Sequence, residues 1–329
     1  MHRAQTDLYE GSTLEKGDWI EELRPGLTVQ GVFAVVQAAA RPTKGGTSFL
    51  SLELQDRTGR IGAVGWEHAH MAPKIKPGST VHLTGVVDTY QGQPQIKIAD
   101  LKLVTDKVEP GHFLPEGQQD KDTLRARLAE IRGSITTPYL KTLLEKVFEE
   151  EGLLEPYLEA PAAKLRHQAY IGGLAEHSLN MAEHARYCSS FYPELDGDML
   201  VTAALLHDLG KIFEYRFDTV IDYSDVGRLE GHIVIGDRII SRAATSIADF
   251  PEEARLHLSH LILSHQGRLE YGSPVTPKTL EAIVLYALDL LDSRVATFRD
   301  IRDRYEGEDR TWSDYDRLSD QFWYLKVGK

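Results

Sequence analysis

The sequence predicts a two-domain protein, an all-β barrel followed by an all-α domain, and three observations carry that prediction. Residues 18–106 alternate apolar and polar side chains in short runs separated by glycine-bearing turns, the period-two signature of strands. Residues 107–121 place Pro110, Gly111, Pro115 and Gly117 among glutamines and acids, which reads as a linker. From residue 122 to residue 329 the apolar spacing becomes helical, and eight of the thirteen histidines fall between residues 167 and 265. Residues 1–17 form an N-terminal extension to this scheme.

At 329 residues the chain is long enough for two separate cores. Its N-terminus lacks the apolar stretch of a secretion signal, and no run approaches the roughly 18 to 20 apolar residues of a membrane span. Cys188 is the single cysteine, which excludes an internal disulfide framework and a thiolate metal cluster. A cytoplasmic protein without membrane contact is expected, and any metal must be held by His and carboxylate. The net charge of −13 opposes polyanion binding by the chain as a whole. Its distribution does not, because residues 18–106 carry nine Lys and Arg against nine Asp and Glu, and nearly all the acidity lies beyond them.

In the β part, residues 27–36 have strand composition, and Lys44-Gly45-Gly46 turns the chain into the alternating run 48–54. Asp56-Arg57-Thr58-Gly59 is a turn before residues 61–66; Lys76-Pro77-Gly78 leads into 81–87, and Gln91-Gly92 into 95–103. Five strands with glycine in the first and fourth, where a small barrel must coil sharply, suggest an OB-fold. The G-x-F-x-V opening and the L-x-L-x-D-x-T-G of the second hairpin resemble the tRNA-anticodon and helicase type of OB domain. Phe33, Phe49, Trp66 and Tyr90 then offer stacking faces for single-stranded bases, with Arg41, Lys44 and Lys97 against phosphates. The competing reading is that these aromatics fill the barrel.

The helical part opens at Asp122 or Thr123, and Thr137-Pro138 caps and starts a second helix that ends at Glu149-Glu150-Glu151-Gly152. Its centre of interest is LLHDLGK, residues 205–211, which sets His207, Asp208 and Lys211 at the end of a helix apolar enough for the core. A His-Asp pair there needs a partner that offsets its desolvation, and a metal ion is the simplest one. His177 falls in the first turn of another helix, His232 follows a loop containing Gly227 and Gly231, and His260 and His265 belong to a helix starting near Pro251. Asp289 stands in the middle of an apolar helix, where an unpaired carboxylate is costly. Asp292, three residues after Asp289, is placed to share its face, but Arg294 nearby offers it an ordinary partner, and His184 and His257 read as core or surface histidines.

The order His177, His207-Asp208, Asp289 resembles the signature of the HD superfamily of metal-dependent phosphohydrolases. The run HxAYxGGLxEH from His167 to His177, then LHDLGK, Glu230-Gly231-His232, LSHxGxxEYGSP from Leu263 to Pro274 and the YALDLLD helix are similar to the YhaM-type 3′-to-5′ exoribonucleases. That family joins an OB domain to an HD domain in this order. The resemblance implies one ion held by His177, His207, Asp208 and Asp289, and a second, bridged by Asp208, held by His232 and His265. Gln168 and Gln266 stand where relatives carry a second histidine after His167 and after His265, and the latter replaces a metal ligand of some related two-metal branches, which weakens the second position. Lys211, one turn from His207, is expected to face phosphate. His260, His167 and Gln266 are expected to contact phosphate or to orient other ligands.

Imidazole and carboxylate ligands suit Mn²⁺, Fe²⁺ or Zn²⁺ better than Mg²⁺, and one or two ions, Mn²⁺ foremost, are expected. The expected function is therefore a metal-dependent 3′-to-5′ exonuclease acting on single-stranded RNA, with DNA as a further substrate, the OB domain holding the strand. A phosphohydrolase of small nucleotides or cyclic dinucleotides is the alternative, since the centre itself does not specify a polymer. A binding protein with a vestigial site is a third reading. The aromatic tail after Asp300, with Trp312, Tyr315, Phe322, Trp323 and Tyr324, is expected to dock on its own domain or on a sister subunit, which leaves a homo-oligomer open.

Overall fold

A computed structural model describes residues 15–43, 45–105, 110–117, 119–164 and 168–326. The chain divides into two compact units, Met1–Glu116 with Phe217–Val220, and Gly117–Arg216 with Ile221–Lys329.

In the first unit β1 (Thr28–Pro42), β2 (Ser48–Asp56), β3 (Gly59–Gly65), β4 (Thr80–Tyr90) and β5 (Gln93–Val104) close into a barrel in the order β1-β2-β3-β5-β4. Neighbours are antiparallel except β3 and β5, whose parallel pairing of Gly62 with Gln95 closes the barrel. Phe33, Leu50, Leu54, Leu83 and Ile96 fill it. The strand glycines permit close approach of backbones: a Cβ on Gly85 would come 2.4 Å from the Lys97 carbonyl, and one on Gly31 2.8 Å from that of Lys16. Asp56 anchors the turn between β2 and β3, accepting from the amides of Ile20 and Thr58 at 2.9 Å and pairing with buried Lys16 at 3.1 Å. The Lys16 ammonium also lies 4.0 Å from the Phe33 ring centroid. Burial holds the Lys16 pKa below its usual value, against the opposing pull of Asp56.

The second unit is helical: α1 (Lys121–Ser134), α2 (Pro138–Glu145), α3 (Leu154–Glu159), α4 (Gly173–Phe191), α5 (Gly197–Leu206), α6 (Lys211–Glu214), α7 (Asp225–Thr245), α8 (Glu252–Ser264) and α9 (Leu280–Arg304). Every residue from Met199 to Leu206 is buried, which makes α5 the central helix, with α4, α8 and α9 packed on it. Asp120 caps α1 by accepting from the Thr123 amide. Pro138 starts α2 and Thr137 stands at its N-cap position, as predicted, but the Thr137 side chain makes no capping hydrogen bond. The amides and hydroxyls of Thr136 and Thr137 instead donate to Oδ2 of Asp198 at 2.7 to 2.9 Å. A π turn at Lys146–Glu150 and Gly152, at φ 69°, end that segment.

The loop expected before His232 is helix. Gly227 and Gly231 both lie inside α7, Gly227 because its backbone packs on Glu214, where a Cβ would meet the carbonyl at 2.3 Å. The aromatic tail folds back on its own unit, with Trp323 against Phe298 of α9 at 5.6 Å and bridges pairing Trp312 with Tyr324 and Asp316 with Gln321. Among the described residues, no helix is long and apolar enough to cross a membrane.

Candidate functional site

The centre forms where α5 ends. Because the helix is buried from Met199 onward, its continuation carries His207 and Asp208 into the interior, 0% and 2% exposed. The chain then turns through Leu209-Gly210 into α6. Gly210 packs so closely on α7 that a Cβ would meet the His232 carbonyl at 2.0 Å and the Gly236 amide at 2.7 Å. This backbone contact sets His232 beside the His-Asp pair. α4 supplies His177, its fifth residue, the C-terminal end of α8 supplies His265, and α9 supplies Asp289.

Nε2 of His207 stands 3.3 Å from Oδ2 of Asp208, and Nε2 of His177 stands 3.3 Å from Oδ1 of Asp289 and 3.9 Å from Oδ2 of Asp208. On the other side of the Asp208 carboxylate, Nε2 of His232 and of His265 lie 3.4 and 3.5 Å from Oδ1. These separations exceed ordinary hydrogen bonds. Four of the five, at 3.3 to 3.5 Å, have the spacing of donors that share an ion, since two ligands each about 2.1 Å from one cation stand about 3 to 3.5 Å apart. Nε2 of His207 and Oδ1 of Asp208 are buried without a hydrogen-bond partner among the described residues. Donor atoms of His177, His207 and Asp289, and separately of His207, Asp208 and His265, lie within 4.8 Å of one another. The donor set fits a divalent cation. His232 belongs to neither triplet and reaches the centre through Asp208.

The ring nitrogens that face away from the centre are anchored. Nδ1 of His207 and of His265 donate to the carbonyls of Ala204 and Ile262 at 2.9 and 2.7 Å. Nδ1 of His177 contacts Asp292 at 2.7 Å, and Nδ1 of His232 contacts Glu214 at 3.0 Å. Each anchor selects the tautomer whose Nε2 lone pair points inward. Lys211 lies 2.6 Å from Oδ2 of Asp208. Burial opposes the charge on Asp208, but Lys211 and His207 outweigh it and hold the carboxyl well below its ordinary pKa. Burial likewise opposes the charge on Lys211, which Asp208 keeps protonated. Desolvation would depress His177, yet Asp289 and Asp292 raise it. Without an ion, the carboxylates draw a proton onto an imidazole, as a cluster built for positive charge does.

The structure thus brings His177, His207, Asp208, Lys211, His232, His265 and Asp289 together, with Gln266 lining the same cavity, its Nε2 3.3 Å from Nε2 of His232. His260 is a correction: its Nε2 accepts from the Lys278 amide at 3.0 Å, so it holds the segment before α9 rather than the centre. His167 lies outside the described residues. Asp292 is a second correction, since its partners are His177, Gln168 and Asn180 rather than Arg294. The signal for it was the three-residue step from Asp289, which puts both on one face of α9. Glu214 was missed as well, and seven residues from His207 it shares that segment's inward side.

On the barrel, Arg41, Phe49, Trp66, Tyr90 and Lys97 line one groove of about 590 Å³. Trp66 and Tyr90 are 59% and 60% exposed, and Phe49 supports the Trp66 ring at 4.9 Å. Lys97 is paired with Asp88 at 2.5 Å. Phe33 is corrected: it is fully buried in the barrel beneath Lys16 and has no face to offer a base. Lys44 lies outside the described residues.

Residues 174–294 match the HD domain family and residues 27–104 the OB-fold nucleic acid binding domain family. The 3′-5′ exoribonuclease YhaM of Geobacillus sp. is 34% identical over 256 residues, spanning 76% of this chain and 77% of that protein. The protein of the same name from Bacillus subtilis is 33% identical over 257 residues, 76% and 80% of the two chains. That of Shouchella clausii is 32% identical over 279 residues, 84% and 86%. Among solved structures, the second OB-fold domain of replication protein A from Methanococcus maripaludis aligns at 28% identity and a TM-score of 0.23, over 28% of this chain and 98% of that one.

Proposed function

The chain belongs to the family of the 3′-5′ exoribonuclease YhaM, and from that membership we infer a divalent-metal-dependent hydrolase that removes nucleotides from the 3′ end of single-stranded RNA. The observation that carries the reading is the Asp208 carboxylate, which faces His177 and His207 with one oxygen and His232 and His265 with the other. One carboxylate serving two donor sets supports two ion positions, the first completed by Asp289. When bound, such ions polarise a phosphoryl oxygen and lower the pKa of water toward neutrality. The mixed imidazole and carboxylate donor set accommodates Mn²⁺, Fe²⁺ or Zn²⁺ better than Mg²⁺, and Mn²⁺ is the ion we propose.

The chain's own residues supply the rest. Lys211, at the cavity wall, keeps Asp208 ionised and offsets negative charge that gathers on a phosphate during displacement. Asp292 and Glu214 hold His177 and His232 in the ligating tautomer. Trp66 and Tyr90 stack bases of the bound strand, with Arg41 and Lys97 against its backbone.

Incubating the full chain with Mn²⁺ and 5′-labelled single-stranded RNA, with DNA in parallel, tests this. Stepwise shortening from the 3′ end is expected, and His207→Ala and Asp208→Ala are each expected to reduce it by about 10³-fold or more, since each removes an ion ligand. Shortening that persists in both variants overturns the assignment.

A further inference from the structure

The loop after His265 carries an aromatic ring that the metal chemistry leaves unused. His265 is followed by Gln266 and Gly267, and Gly267, at φ 78°, lies flat on the Tyr286 ring, where a Cβ would come within 2.3 to 2.5 Å of ring carbons. No other residue fits there, so the loop is fixed against α9 at that point. A tight turn follows. Amides of Tyr271 and Ser273 donate to the Arg268 carbonyl at 3.1 and 3.2 Å, the Gly272 amide donates to Leu269 at 3.0 Å, and Gly272 at φ 98° closes it. The turn presents Tyr271, 55% exposed, at the rim of a cavity of about 210 Å³ whose lining includes Asp208, Lys211, His265 and Tyr286. The Arg268 guanidinium stands 5.7 Å from the Tyr271 ring centroid.

A ring carried on a turn fixed this firmly, half in water and beside a charged centre, is not packing a core. Its surroundings do not suit it to phosphate, for which Lys211 and the metal ligands are the partners. With the scissile phosphate at the centre, the sugar and base of the terminal nucleotide must lie within one nucleotide's reach of it. We propose that Tyr271, backed by Arg268, is the platform on which the 3′-terminal base stacks. Stacking needs only a π-face, so the platform accepts every base and gives a sequence-tolerant enzyme. The platform positions the terminal nucleotide. It takes no part in bond cleavage, so its loss falls on KM rather than on kcat.

This inference rests on the exonuclease reading, and its test separates the two. The full chain with Mn²⁺ is given two single-stranded oligoribonucleotides of one sequence, one ending in a normal nucleotide and one in an abasic ribose, and first-cleavage rates are measured. The wild-type KM is expected to be about tenfold higher for the abasic end, with kcat within about twofold. Tyr271→Ala is expected to raise the KM of the normal end by about tenfold, to the abasic level, and to lose discrimination, whereas Tyr271→Phe keeps it. Equal KM for both ends in the wild type, or undiminished discrimination in Tyr271→Ala, overturns the platform and leaves the exonuclease reading standing. No shortening of the normal strand by the wild type overturns both.

Discussion

Oδ2 of Asp292 lies 2.7 Å from Nδ1 of His177, and this contact turns the other imidazole nitrogen toward Asp289. Gln168 and Asn180 donate to the same carboxylate at 2.9 and 3.2 Å, so Asp292 is fixed before it fixes His177. Asp292→Ala is expected to weaken Mn²⁺ affinity by about 10- to 100-fold, the usual effect of removing a group that orients a ligating histidine. Calorimetric titration of Mn²⁺ into the variant measures it, and wild-type affinity would show that His177 is oriented without Asp292.

Gly210 leaves no room for a side chain between α6 and α7. Because a Cβ would overlap backbone rather than a movable side chain, Gly210→Ala is expected to lower stability by about 2 kcal/mol or more. Urea denaturation reads the loss directly. A variant as stable as the wild type would mean that the two backbones part easily.

Asp198 joins the starts of α2 and α5. Burial raises its pKa, but the hydroxyls and amides of Thr137 and Thr136 outweigh burial and hold the folded value below the ordinary carboxylate range. A depressed folded pKa contributes stability that is present above the unfolded value, near 3.9, and is lost as pH falls through the folded one. Asp198→Asn is expected to be about 1 to 3 kcal/mol less stable at pH 7. The gap should close below about pH 4, where the wild type loses its advantage. A gap that stays constant from pH 7 to pH 3 contradicts the role given to the ionised carboxylate.

In the barrel groove, Trp66→Ala and Tyr90→Ala are each expected to weaken single-strand binding by about 5- to 100-fold, from about 1 to 3 kcal/mol per stacked base. Phe33→Ala should instead destabilise the barrel by about 3 to 5 kcal/mol, as loss of a fully buried ring does. Fluorescence anisotropy with a labelled oligonucleotide, beside thermal melts, separates the two outcomes. Weaker binding by Phe33→Ala at full stability would restore Phe33 to the groove.

Much of this was legible in the chain because the chemistry demanded specific residue types in costly places. A His-Asp pair closing an apolar helix, and Asp289 inside another, had few inexpensive explanations, and the structure brings them together. The five strands were equally plain, since alternation fixes which side chains enter a barrel. What sequence could not supply was the side chain's choice among neighbours distant in the chain. Phe33 and Trp66 are both aromatics within two residues of a strand glycine, yet only the barrel's closure decides that one enters the core and the other faces water. Asp292 had an arginine two residues away and took a histidine from α4 instead, because α9 turns that face inward. Gly227 and Gly231 suggested a loop by composition, whereas tight packing on α6 explains the first and a helix restart the second.

That restart at Gly231, with φ 74° and ψ 154°, bears on how the centre behaves as a machine part. The His232 amide, next after Gly231, donates to Glu214 at 3.0 Å, to the same oxygen that meets the His232 ring at 3.0 Å. One atom therefore closes the end of a helix and aims a ligand. If His232 holds an ion, ordering of the helix start at Gly231 and loading of that position would be linked, each favouring the other.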